Sequence, residues 1–303
     1  MCETLQRAKR QKLDEFYTRI EDIEAELSHY KDHFANKIVF CNCDDPERSD
    51  FFKYFYLKFD EFGLKKLITT HYEREKPSYK LEVFKNIYGK LEKKQIPLRQ
   101  NGDFRSPEAI EALEESEIVC TNPPFSLFRE YIRQLHTYNK KFLIIGHQNA
   151  VTYKSVFPLI KNNEIWYGFG FPGNVGFFRS KYEDYATSSQ HKEGMIRISG
   201  VKWLTNLDIS KRHEKLILYK HYNPEEYPKY DNYDAINVDK VADIPCDYDG
   251  VMGVPITFLD KYNPEQFEIL GDSRYHDESD VANDINVLHG KILYRRLLIR
   301  RIQ

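Results

Sequence analysis

Between Lys37 and Lys161 the chain alternates short apolar, β-prone runs with stretches of helical periodicity, and this restricts the fold more than any other feature. Lys37 to Cys43, Lys65 to Thr70, Glu117 to Thr121 and Lys141 to Gly146 read as buried strands. Asp50 to Phe62, a segment opening at Ser106-Pro107-Glu108, the stretch from Ser126 and Ser155 to Lys161 read as helices. Strand and helix in alternation predict an α/β fold, a mostly parallel sheet with helices on both faces. A helix from Leu13 to Asn36, with Ile20, Ile23, Leu27 and Tyr30 on one face, leads into it. Pro77 to Arg99 breaks the pattern and predicts a hairpin inserted over the carboxyl rim of the sheet. After about Asp208 periodicity fades, and Tyr, Asn, Asp and Pro crowd Tyr222 to Asp249, which predicts a second, loop-rich region with short strands.

A chain of 303 residues, 41% hydrophobic and 30% charged, can bury one large core and a smaller lobe. It has no apolar run long enough to cross a bilayer and no apolar targeting segment at its start, so a soluble cytoplasmic protein is expected. The five cysteines are odd in number, and Cys41-x-Cys43 lacks both the spacing and the second pair of a zinc knuckle; a reducing compartment and no metal are expected. A net charge of −2 gives no general attraction to a polyanion. Phosphate contacts would have to come from local clusters, Arg7, Lys9, Arg10 and Lys12 at one end, or Arg295, Arg296, Arg300 and Arg301 at the other.

In open α/β sheets ligands sit beyond the carboxyl ends of the strands, which puts Asp44, Asp45, Asn122 and His147 on one rim. Asn122-Pro123-Pro124-Phe125 follows the strand-like Ile118 to Thr121 directly. Each proline fixes φ and removes an N–H, so the carbonyls of this turn are stiff and barred from sheet pairing. With the Asn122 side-chain oxygen they form acceptors for an amine, and Phe125 offers a flat face. Such a receptor suits methylation of an exocyclic amine, whose delocalised lone pair is a poor nucleophile until acceptors draw on its hydrogens. The competing reading is plain loop punctuation, with Phe125 packing on the helix that follows.

Other rim segments carry pocket chemistry. A carboxylate in Asp44-Asp45-Pro46, with Ser49 beyond it, suits a cationic amino group, although Ser49 and Asp50 also suit a helix cap. Asp103-Phe104 pairs an acceptor with a ring, as an adenine pocket needs, and equally makes a turn. Tyr17 or Thr18 could bond a carboxylate, against the commoner structural tyrosine.

Phe16-Tyr17-Thr18, Cys41-Asn42-Cys43-Asp44-Asp45-Pro46 and Asn122-Pro123-Pro124-Phe125 resemble the EcoRI-type adenine-specific DNA methyltransferase family. So do Trp203 to Leu207, Tyr230 to Tyr233 and Gly250 to Leu259, so the similarity covers nearly the whole chain. The resemblance implies a Rossmann-like methyltransferase sheet over residues 1–208 and a target-recognition region over 209–303. It implies methyl transfer from S-adenosylmethionine to N6 of a flipped-out adenine in specific duplex DNA, by a monomer that a cognate restriction endonuclease can accompany. By motif, Asn122 and Pro123 would hold the target amine within the catalytic turn completed by Pro124, and Phe125 would stack on the base. Phe16, Tyr17, Thr18, Asn42, Asp44, Asp45, Pro46, Ser49, Asp103 and Phe104 would surround the cofactor, and Arg295 and Arg296 would meet DNA. The usual glycine-rich turn after the first strand is replaced here by Asp45-Pro46-Glu47-Arg48-Ser49. The alternatives are an RNA adenine or protein glutamine methyltransferase, against which Phe125 in place of tyrosine argues, and a nucleic-acid-binding protein with a decayed site.

Overall fold

The computed structural model describes residues 16–73, 77–179, 195–274 and 284–302. Packing divides the chain into two units, Met1–Ile160 with Ile165–Leu207, and Lys161–Glu164 with Asp208–Gln303. No described helix is long and apolar enough to cross a membrane.

The first unit opens with β1 (Tyr17–Thr18) and α1 (Ile20–Leu27), followed by a 3-10 segment over Ser28–His33. The long first helix is therefore shorter than its periodicity predicts: Arg19 is extended, and Tyr17 and Thr18 are drawn into strand pairing with Arg179 and Phe178. Tertiary pairing has overridden local propensity there. Leu13 to Glu15 and the cluster Arg7 to Lys12 lie outside the described residues.

The chain continues through β2 (Ile38–Cys41), α2 (Asp50–Leu57), β3 (Lys66–Thr70), β4 (Tyr79–Lys85), β5 (Leu91–Pro97), α3 (Pro107–Glu115), β6 (Ile118–Thr121), α4 (Phe128–Thr137), β7 (Lys141–His147) and α5 (Phe157–Lys161). The unit closes with β8 (Trp166–Tyr167), β9 (Val175–Arg179), β10 (Met195–Ser199) and β11 (Val201–Thr205). Among the described residues, eight strands form one mixed sheet in the order β5-β4-β3-β2-β6-β7-β11-β8. Only the centre, β3-β2-β6-β7, is parallel; β4, β5, β11 and β8 run antiparallel at its margins. Val39, Phe40, Leu67, Ile68, Val119, Leu143 and Ile144 are buried, which explains why these strands read as unbroken apolar runs. Strands β1, β9 and β10 form a separate antiparallel sheet.

The hairpin does not lie over the carboxyl rim. Thr70 pairs with Lys80 and Lys66 with Phe84, so β4 runs back down β3 and its turn at Asn86 to Lys90 lies beyond the amino ends of the parallel strands. Loss of helical period signals an insertion, but the direction in which a hairpin points is fixed by register alone.

Caps match the sequence. Ser49 Oγ accepts from Phe51 N at the start of α2, and Ser106 Oγ accepts from Ala109 N before Pro107 at the start of α3. Glu26 of α1 is buried but satisfied, accepting from Tyr30 Oη and from the backbone N–H groups of Phe169 and Gly170, each at 2.8 Å.

In the second unit β12 (Ile236–Asn237), β13 (Met252–Pro255) and β14 (Phe267–Asp272) join β17 (Arg296–Arg301) in a sheet of order β12-β13-β17-β14. A two-stranded ribbon is made by β15 (Val287–Leu288) and β16 (Lys291–Ile292). Phe258, Phe267, Ile269, Leu297, Leu298 and Ile299 form its core. Tyr230 packs so tightly on Gly253 that a Cβ there would lie 2.0 Å from the phenol oxygen.

Candidate active site

The chain leaves β2 for β3 on one side of it and later returns to β6 on the other, so the carboxyl ends of β2 and β6 flank the sheet's topological switch point, where a crevice is expected. Asn42 to Asp45 leave β2 there, and Asn122 leaves β6.

Asp44 is turned inward and is 4% exposed. Its Oδ1 accepts from Ser49 Oγ at 2.6 Å, its Oδ2 lies 2.6 Å from Thr121 Oγ1, and the nearby Asn122 backbone N–H favours the charged carboxylate. Burial pushes this acid up to about 7, against the pull of those hydrogen bonds. Thr121 Oγ1 also bonds the Asn42 carbonyl oxygen, and one hydroxyl proton cannot serve two acceptors. When Asp44 is protonated it donates to Thr121 Oγ1, which then donates to Asn42. Asp44 is thus a strut joining the turn after β2, the cap of α2 and Thr121, the chain neighbour of the Asn-Pro-Pro-Phe turn. Asp45 remains partly exposed, with Oδ1 accepting from Glu47 N at 3.0 Å, and Pro46 is buried.

Asn122 is held by its side chain as well. Its Nδ2 donates to the Phe16 carbonyl oxygen at 2.6 Å and to Thr18 Oγ1 at 3.3 Å. Among the described residues its buried Oδ1 has no partner, and neither has Nδ2 of Asn42 at the end of β2. The Pro124 carbonyl is taken by Leu127 N at 3.0 Å, whereas no described residue donates to that of Pro123. Phe125 is half-buried, its ring centroid 5.8 Å from that of Phe16 at 53°. Phe16 in turn meets Phe178 edge-on.

Asp103 and Phe104 are committed locally. Arg105 grips the Asp103 carboxylate through Nε and Nη2 at 2.8 and 2.7 Å and holds its acid below the usual range. Phe104 is buried, edge-on to Tyr131. Gly102 lets this loop approach β3's exit: a Cβ there would lie 2.0 Å from the His71 carbonyl oxygen. Just beyond β3, the Glu73 carboxylate stands 3.3 Å from His71 Nε2.

A family model described as adenine-specific methyltransferase EcoRI matches residues 4–301. The chain belongs to this family. It is 49% identical to the type II methyltransferase M.EcoRI of Escherichia coli, over 98% of this chain and 95% of that one. Identity is 42% with M.MpnI of Mycoplasma pneumoniae, over 87% and 84%, and 39% with M.MgeORF184P of Mycoplasma genitalium, over 98% of each. No solved structure matches it.

The adenine-specific methyltransferase family requires a receptor for an amine and a place for a methyl donor. Among the described residues, a buried acceptor on Asn122 and a buried donor on Asn42, at the ends of the two strands that flank the switch point, have no partner, which fits a polar ligand there. No anion nest is demanded, because S-adenosylmethionine carries no phosphate. Sequence reasoning missed the Asp44–Thr121 bond and the Asn122–Phe16 bond, each of which joins residues far apart in the chain. It also missed a cavity of about 390 Å³ at the end of β7, lined by His147, Gln148, Asn149, Asn174, Arg197 and Ser199 among others.

In the second unit Arg295 grips the buried Asp272 through Nε and Nη2, and Arg296 reaches Asn237 and Asp239, each at 3.4 Å. Both guanidinium groups are therefore engaged within the protein. The Lys220–Pro245 bridge gathers His221, Cys246 and Asp247 so that their ligand atoms lie within 4.8 Å, an open surface trio short of the closed four-ligand set of structural zinc.

Proposed function

We propose that this methyltransferase transfers a methyl group from S-adenosylmethionine to N6 of a flipped-out adenine at a specific sequence in duplex DNA. The observation that carries the reading is that no described residue donates to the buried Asn122 Oδ1 or to the carbonyl of the next residue, Pro123. An uncompensated buried acceptor costs about 1–3 kcal/mol, which an incoming amine N–H recovers. These two oxygens take the two amine hydrogens and hold the nitrogen lone pair toward the methyl donor. Phe125, supported from behind by Phe16, stacks on the extruded base; stacking at about 1–3 kcal/mol offsets an unpairing cost of a few kcal/mol.

S-adenosylmethionine supplies an electrophilic methyl group on a sulfonium. Asn42, Asp45 and Pro46 of the turn after β2, with Phe16 and Tyr17, are the residues assigned to hold it, while Asp44 and Ser49 brace that turn from inside. This is the arrangement of a Rossmann-like methyltransferase sheet, and target recognition falls to the second unit. The test is incubation of the chain with duplex DNA and methyl-labelled cofactor, followed by nucleoside analysis. Label in N6-methyladenine at one recurring sequence is expected; label in RNA, in protein or nowhere overturns the reading.

A further inference from the structure

An amide side chain can present an acceptor to a substrate amine only while its oxygen points that way; half a turn about its last bond would put an N–H there and repel the amine. At Asn122 the opposite end of the amide is held by two acceptors, the Phe16 carbonyl and Thr18 Oγ1. Neither is loose. Tyr17 and Thr18 pair with Arg179 and Phe178, Thr18 is 3% exposed, and the Phe16 ring is buried against Phe125 and Phe178.

We infer that β1 is a positioning element, and that the Thr18 hydroxyl, acting with the Phe16 carbonyl, orients the Asn122 amide so that Oδ1 faces the target amine. The inference rests on the proposed role of Asn122 and gives Thr18 a function other than cofactor contact. A backbone carbonyl accepts but never donates, so the Phe16 carbonyl sets which end of the amide turns inward. The hydroxyl then keeps that end from swinging. Orientation settled before the substrate arrives is a cost removed from the reaction step.

The test compares Thr18→Val, which keeps the shape and loses the hydroxyl, with Thr18→Ser, which keeps the hydroxyl. Thr18→Val is expected to lower kcat for DNA methylation about tenfold, the effect of one lost hydrogen bond, with the Kd for S-adenosylmethionine unchanged. Thr18→Ser is expected to restore kcat to near the wild-type value. If Thr18→Val does not fold, Thr18→Ala carries the same expectation. Wild-type kcat in the valine variant, or a weakened cofactor Kd at unchanged kcat, would overturn the inference. A wild-type chain that methylates no DNA would instead sink the proposed reaction, so the two failures are separable.

Discussion

Asn122 donates from Nδ2 to the backbone carbonyl oxygen of Phe16 at 2.6 Å, although 106 residues separate them. Its chain neighbour Thr121 is tied to Asp44, Oγ1 to Oδ2 at 2.6 Å. The turn is thus fixed from two directions, and one acceptor of the amide has no partner among the described residues.

Asn122→Ala should therefore lower kcat by about 10²–10³-fold, the range seen when one preorganised polar partner of a transition state is removed. Cofactor Kd, measured by calorimetry, should stay within about twofold, since the partner acts on the amine. Equal losses in kcat and cofactor affinity would contradict the assignment.

Asp44→Ala should destabilise the chain by about 2–4 kcal/mol, because it leaves the buried Ser49 hydroxyl without its acceptor and strips Thr121 Oγ1 of one of its two partners. Asp44→Asn keeps shape and most partners and should cost less. Urea unfolding of both variants checks the order.

Acid response gives a separate check. The Asp44 acid is raised from 3.8 to about 7, so the folded chain keeps a proton that the unfolded chain releases. Its stabilisation is complete below about pH 4, declines as pH rises and is gone above about pH 7. Burial lowers His147 from 6.5 to about 4, so the unfolded chain protonates first and stability is lost on acidification through that window. The two slopes oppose each other in the wild type. Asp44→Asn should expose the His147 slope, making unfolding stability fall by up to about 1.4 kcal/mol more per pH unit on acidification than in the wild type.

Phe125→Ala should impair methylation of a paired target more than of a mispaired one, since mispairing already lowers the cost of extrusion. Single-turnover rates on the two duplexes decide; equal losses would remove stacking as its role.

Arg295→Ala should destabilise the second unit by about 3 kcal/mol, because it removes the bidentate partner of a buried carboxylate. The salt dependence of DNA binding should hardly change. A flattened salt slope at unchanged stability would mean that Arg295 meets phosphate instead.

The central parallel strands and the capped helices α2 and α3 were legible because their signals are local: unbroken apolar runs, a serine at the cap, a proline in the first turn. The length of the first helix and the direction of the hairpin were not. The first depends on β9 claiming Tyr17 and Thr18, the second on which residue of β4 meets Thr70. At the rim, Asp44-Asp45 read as a turn with a carboxylate for a cationic group, and only the fold shows that the first of the two carboxylates is enclosed by Ser49 and Thr121.

By itself the sequence determined the chemistry available at the rim, an amide and rigid carbonyls at a strand end, because a prolyl turn dictates backbone freedom wherever it sits. Which of those oxygens stays open was decided only when distant segments met. A hydrogen bond is a relation between two positions, and no single stretch of chain contains both its donor and its acceptor when they lie on different strands.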